Sequence, residues 1–202
     1  AIFDPTLDEF NAKLPVAGGP DGYGRSKAQV ERYARDLQDA GAPIDITYPG
    51  MVLGPPVGDR FGEAADGVVA VVRLGAVPGR GAAWSVVDVR DLAALHAALL
   101  QPGRGPRRYT AGGTRLTADE IATALTAVTG KRVHRIPVPD AVLRGLGLAA
   151  DSIERFLPFD TPLTAAAMQY YTHMPPSDDS PSAWDLGITH RPPPETLADT
   201  VA

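Results

Sequence analysis

Apolar positions begin to recur at helical spacing after Gly18-Gly19-Pro20-Asp21-Gly22, a stretch that reads as a turn. Val30, Tyr33, Ala34 and Leu37 hold that spacing and Gly41 offers a stop, so a helix is predicted from Tyr23 to Ala40. The pattern then changes to alternation. Ile44-Asp45-Ile46-Thr47-Tyr48 reads as a strand ended by Pro49-Gly50, and Met51-Val52-Leu53 is a second apolar run that meets Gly54-Pro55-Pro56. Residues 64–74 are predicted helical, although Val68, Val69, Val71 and Val72 suit a strand equally well. Trp84 to Val89 reads as a strand, Asp91 to Leu100 as a helix stopped by Pro102-Gly103, and Arg108 to Ala111 as a strand before Gly112-Gly113. Thr117 caps the next helix with Glu120 as its reciprocal partner, Ile121, Leu125 and Val128 supply its apolar face, and Gly130 closes it. A strand from Val133 to Ile136 and a helix opened by Pro139 follow.

Strand–helix alternation over the first two thirds predicts an α/β fold with a parallel sheet. Pro158, Pro162, Pro175, Pro176, Pro181 and Pro192-Pro193-Pro194 break the rest into short pieces, as in a smaller lobe draped on that sheet. The 202 residues suffice for one domain and a lobe, divided as residues 1–105 and 106–202 with segments free to interleave. Composition adds exclusions. A net charge of −5 leaves no basic surplus for nucleic acid or anionic membrane. The lack of cysteine removes disulfides, thiolate catalysis and cysteine metal sites, and fits a reducing cytoplasm. Neither a membrane-length apolar run nor a leader pattern is present, and the start at Ala1, without Met, gives the expectation that the chain begins inside a longer protein.

Tyr23 and Lys27 lie four residues apart, which puts both on one face of the first helix. The apolar stripe of Val30, Ala34 and Leu37 continues that face, so Lys27 is expected to point along the buried side, opposite Glu31 and Arg35. The chemistry that needs such a pair is proton transfer at an alcohol or carbonyl oxygen. A phenol titrates near ~10, too high for a base at neutral pH. A neighbouring ammonium favours the phenolate and makes it a workable general acid/base. Hydride has to come from a cofactor, because no side chain supplies it. With 6 tyrosines in the chain, chance yields about 0.1 such pairs.

Tyr23-Gly24-Arg25-Ser26-Lys27-Ala28 resembles the active-site helix of the extended short-chain dehydrogenases, the NAD-dependent epimerase/dehydratase group. Tyr48 to Pro55 resembles the family's next strand end, and Val87-Asp88-Val89-Arg90-Asp91-Leu92 its strand-to-helix turn. Tyr109 to Gly113, Val128-Thr129-Gly130, Leu186-Gly187-Ile188, Pro192 and Thr196-Leu197 recur in order, so the likeness spans nearly all of residues 20–200. It implies a partial Rossmann-like parallel sheet and an NAD(P)-dependent oxidoreductase or epimerase/dehydratase acting on a small-molecule alcohol or carbonyl, in a homo-oligomer. Tyr23 would be the proton donor or acceptor. Lys27 would hold the nicotinamide ribose and assist the tyrosine, and Pro49, Gly50, Met51 and Val52 would lie against the nicotinamide. The family's glycine-rich loop, which gives the pyrophosphate a helix N-terminus, is absent, as is the catalytic serine that precedes the tyrosine helix. The resemblance is thus to the C-terminal part of such an enzyme, with the intact parent active. This chain alone is expected to be inactive and to bind NAD or NADP weakly or not at all.

Other readings compete. A truncated, non-catalytic binding module fits the same missing parts. Gly24-Arg25-Ser26-Lys27-Ala28 partly resembles a hydrolase elbow with Ser26 as nucleophile, with Asp88/His96 or Asp185/His190 as partners, but a glycine-rich turn replaces the apolar strand that motif needs. His96, His134, His173 and His190 show no metal-ligand spacing, and His96 reads as a packed helix residue beside Leu92, Leu95 and Leu99. Asp88 and Asp91 read as turn and helix-start residues. Tyr170-Tyr171 near Met168 could line a pocket but suit ordinary packing better.

Overall fold

The structure, a computed structural model, describes residues 9–16, 18, 21–56, 58, 62–102, 105–154 and 164–202. Along them run α1 (Gly22–Asp39), β1 (Ile46–Pro49), β2 (Met51–Leu53), α2 (Glu63–Leu74), β3 (Ala76–Pro78), β4 (Ala83–Asp88), α3 (Val89–Leu99), β5 (Arg108–Ala111) and β6 (Thr114–Thr117). Then come α4 (Ala118–Thr129), β7 (His134–Ile136), α5 (Asp140–Glu154), α6 (Ala165–Thr172), α7 (Ser180–Leu186) and α8 (Pro193–Val201). The predicted α/β class is the one observed, and helix is the outcome for residues 63–74. The structure adds β3 and β6. The first has three residues, and the second, Thr-Arg-Leu-Thr, offers one apolar side chain, so neither leaves a periodic signal.

The sheets are arranged as a fork. β1 and β5 pair in parallel, Ile46 with Arg108 through Pro49 with Ala111. Beyond Gly50 and Gly112-Gly113 the two chains part, and β4 enters between their continuations: β2 pairs with it in parallel and β6 antiparallel. β3 and β7 form a separate parallel pair. The larger core lies under β4, where Trp84, Val86, Leu53 and Leu116 meet Val68 of α2, Ile121 and Leu125 of α4 and Leu197 of α8. A smaller one joins Leu95, Tyr109, Ala111 and Ile188.

The face that α1 buries corrects the sequence-based expectation. Asp21 caps the helix, its Oδ1 accepting from the Gly24 N–H at 2.7 Å, a contact worth ~1 kcal/mol. Inward go Gly24, Ala28, Glu31 and Gln38, whereas Val30 and Tyr33 are exposed and Ala34 and Leu37 half-buried. Lys27 is likewise exposed. The reason is that Glu31 Oε1 and the Gln38 amide find partners inside, although Glu31 Oε2 has none among the described residues. Glu31 accepts from Tyr48, Gln38 Nε2 donates to the carbonyls of Ile44 and Arg107, and Arg108 Nε donates to Gln38 Oε1. Small Gly24 and Ala28 let the helix come close, and hydrogen bonding then offsets the cost of burying an amide and a carboxylate. The outer stripe of Tyr23, Val30 and Tyr33 is left at 62–67% exposure. Such apolar faces drive association. The 202-residue chain should therefore sediment above its monomer mass at tens of micromolar, and Val30→Lys with Tyr33→Lys should return it to monomer. A monomeric wild type would show that the stripe is inert.

Candidate active site

The fork fixes where a site forms, because a crevice opens where the parallel strands β1 and β5 end and diverge. Gly50 holds the crotch. A Cβ on it would lie 2.6 Å from the Ser85 carbonyl oxygen and 2.7 Å from that of Gly112, so only a hydrogen fits. On the opposite prong Gly113 adopts φ +70°, and a Cβ there would lie 2.0 Å from the Val86 carbonyl oxygen. Pro49-Gly50 is thus more than a strand-ending turn, since its glycine lets three strands meet.

A cavity of about 370 Å³ occupies the crevice. Tyr23 and Lys27 reach it from α1, and Pro49, Gly50 and Met51 from the β1–β2 junction, so most of the residues singled out from the sequence share one concavity. Val52 is not among the lining residues, whereas Met51 borders the cavity at the junction with its side chain packed on the core below β4. Lys27 Nζ sits 5.3 Å from the Tyr23 ring centroid, within range of a cation–π contact. The remaining walls were not anticipated: Phe10, Ser85, Gly112, Met174 and Ser177, with Tyr170, for which packing had been preferred. Tyr171, by contrast, donates its hydroxyl to the Pro78 carbonyl at 2.8 Å and packs on the core.

Tyr48 couples the cavity to α1. Its ring meets Phe10 edge-on at 5.6 Å, while its hydroxyl donates to Glu31 Oε1 at 2.8 Å and accepts from Arg35 at 3.2 Å. Burial, reinforced by Glu31 and opposed by Arg35, pushes the Tyr48 phenol up to about 12, so it stays a donor at neutral pH. Tyr170 is also pushed up to about 12, by burial first and then by the charge of Asp21. Both therefore present neutral walls beside Tyr23.

The back wall is held by Asp179. Its Oδ1 accepts from Ser177 Oγ at 2.6 Å and from the Gly112 N–H at 3.1 Å, and its Oδ2 from the Gly113 N–H at 2.7 Å, with His190 Nε2 2.9 Å away. Burial alone would raise this carboxyl, but hydrogen bonds from His190, Ser177, Gly113 and Gly112 outweigh it and hold Asp179 below its ordinary value. The same contact raises His190. The signs give a window. The Asp179 contribution is present above 3.8 and lost as pH falls through the lowered value; that of His190 is complete below 6.5 and lost as pH rises through the raised one. The stability difference between wild type and His190→Ala should therefore peak between those two values and shrink on either side in urea unfolding across ~pH 2–9. A difference flat with pH would mean that the contact carries no charge.

Neither Asp–His pairing weighed for a hydrolase forms. Asp88 caps α3, accepting from the Arg90 N–H at 2.8 Å, and His96 is exposed with Nε2 3.0 Å from Thr47 Oγ1 rather than packed against the leucines. Asp185 accepts from the Tyr109 hydroxyl, and Ser26 is exposed on α1 outside the cavity lining. Among the described residues no cluster of three or more His, Asp or Glu is placed to hold a metal, and no helix is long and apolar enough to cross a membrane.

No family model matches the chain. It is 28% identical to sterol demethylase protein B of Methylococcus capsulatus, over 93% of this chain and 57% of that protein. Its fold is similar to that of a nucleoside-diphosphate-sugar epimerase from Pseudomonas aeruginosa, with a TM-score of 0.67 at 19% identity over 100% of this chain and 59% of the other. UDP-glucose 4-epimerase from Bifidobacterium longum, solved with NAD+ and UDP, gives 0.65 at 16% identity, over 97% and 58%. The architecture is thus the Rossmann-like α/β one of these epimerase structures. The chain spans a little under three fifths of the length of each of these proteins.

Proposed function

We propose that this chain carries the acid/base centre of an NAD(P)-dependent oxidoreductase or epimerase/dehydratase of the extended short-chain dehydrogenase kind, acting on an alcohol or carbonyl. The observation that carries the reading is the single cavity shared by Tyr23, Lys27 and the Pro49–Met51 junction, three features that the resemblance alone had linked. Tyr23 passes a proton to or from the substrate oxygen. Lys27 holds the nicotinamide ribose. The donor set fits that end of the cofactor: an ammonium and an exposed phenol for hydroxyls, with Pro49, Gly50 and Met51 beside them for the flat ring. The cofactor, when bound, supplies or accepts hydride. Support comes from the NAD+ named with the UDP-glucose 4-epimerase and from the reaction types named for the similar proteins. In this reading residues 1–105 belong to the dinucleotide-binding domain and 106–202 mainly to the substrate lobe, in a cytoplasmic protein. This chain by itself stays inactive for want of the pyrophosphate loop.

The test is isotope transfer. The gene product, including whatever residues are encoded upstream of Ala1, is given deuterated NADH or NADPH with a panel of ketones, and label is followed into the alcohols by mass spectrometry. Absence of transfer from both cofactors would sink the proposal.

A further inference from the structure

We propose that Ser85 selects the substrate in this cavity, its hydroxyl bonding a second oxygen on an otherwise apolar alcohol or ketone. The inference rests on the function proposed above and adds a substrate class and a specificity residue to it. β4, Ala-Trp-Ser-Val-Val-Asp, is buried along its whole length. Its two polar side chains fare differently. Asp88 bonds Arg90 and Thr196, whereas Ser85, 4% exposed, has an Oγ with no partner among the described residues. Strand alternation gives its direction: Trp84 and Val86 on either side enter the core below, so Ser85 faces the other way, where it lines the cavity.

Apart from Tyr23, which is assigned to the reacting oxygen, the other hydroxyls around it are engaged. Thr47 meets His96, Tyr48 donates to Glu31, and Ser177 donates to Asp179. Tyr170 also has a partner. An unpaired buried hydroxyl is destabilising, so a serine at the centre of an apolar strand calls for a partner that arrives from outside the chain. The surrounding walls of Phe10, Tyr48, Tyr170 and Met174 present rings and a thioether, which suit an apolar body. A site with one fixed polar group in such walls discriminates by leaving that group unpaired when the ligand lacks the matching atom.

Two probes test this without turnover: trans-decalone, and the same rigid ketone with one hydroxyl on its far ring. Binding to the 202-residue chain is measured by calorimetry without cofactor. The hydroxylated ketone should bind about tenfold more tightly. Ser85→Ala should abolish that preference while leaving trans-decalone affinity unchanged, and Ser85→Cys, of similar size but a weak donor, should do the same. Ser85→Ala should also melt no lower than wild type, since it removes an unpaired group. A preference that survives in Ser85→Ala, an equal loss for both ketones, no preference in the wild type, or binding of neither would overturn the proposal. The isotope-transfer experiment can fail while the binding preference stands, so the two readings fail separately.

Discussion

Tyr23→Phe is expected to cut the proposed carbonyl reduction by about 10²- to 10⁴-fold, the range supplied by a positioned general acid/base. The substitution isolates the chemistry. Phenylalanine keeps the ring that Lys27 Nζ approaches at 5.3 Å and removes only the oxygen. Tyr23 is 63% exposed on the first turn of α1, so the fold does not depend on its hydroxyl. The melting temperature should stay within a degree or so of wild type, since surface changes of this kind cost under about 0.5 kcal/mol. Lys27→Met should lower turnover as well, with an added rise in the KM for the cofactor because the same ammonium is assigned to the ribose. Steady-state kinetics on the full gene product would decide it. A Tyr23→Phe enzyme that turns over as fast as wild type would remove the tyrosine from the mechanism.

The largest effect on stability is expected at Gly113. Gly113→Ala places a methyl carbon 2.0 Å from the Val86 carbonyl oxygen and 2.8 Å from Val87 Cα, both backbone atoms of the central strand. No side-chain rotation relieves that overlap, so β6 has to move away from β4. A loss above about 4 kcal/mol is expected, a large share of the ~5–15 kcal/mol that holds a domain folded. Gly130 provides the control. It has nearly the same φ, +68°, at the end of α4, with nothing within 4 Å of an added Cβ. Gly130→Ala should cost only the left-handed backbone penalty, ~1–2 kcal/mol. Equal losses by denaturant titration would show that backbone conformation, and not the fork, sets the requirement for glycine.

Elements whose causes are local were legible in the sequence. Thr117 and Glu120 form the reciprocal cap that their spacing announces, and Arg108 to Ala111 is a strand with the predicted bounds. The orientation of α1 was not, because the fate of Glu31 depends on Tyr48, 17 residues away, and that of Gln38 on Arg107, 69 residues away. Apolar spacing marked a real stripe, but it lies on the outward face. At the site, Tyr23, Lys27 and Pro49 to Met51 could be found because they fall in motifs. Phe10, Met174 and Ser177 could not, since they arrive from chain segments that no short pattern connects to the fork. Ser85 did leave a trace: it is the one polar residue in the run Ala82-Ala83-Trp84-Ser85-Val86-Val87.

The inward face of α1, small at its start and hydrogen-bonded further along, has a consequence for how this helix tolerates change. An oily seam permits a helix to slide or roll by fractions of a turn as side chains repack. A carboxylate seated on one phenol and an amide clasping two carbonyls permit far fewer settings, so the angle at which Tyr23 leaves the helix is keyed from two and four turns downstream. Val30 and Tyr33 on the outer face carry none of that information. They are free to be exchanged, to suit whatever surface the protein meets, while the phenol stays aimed.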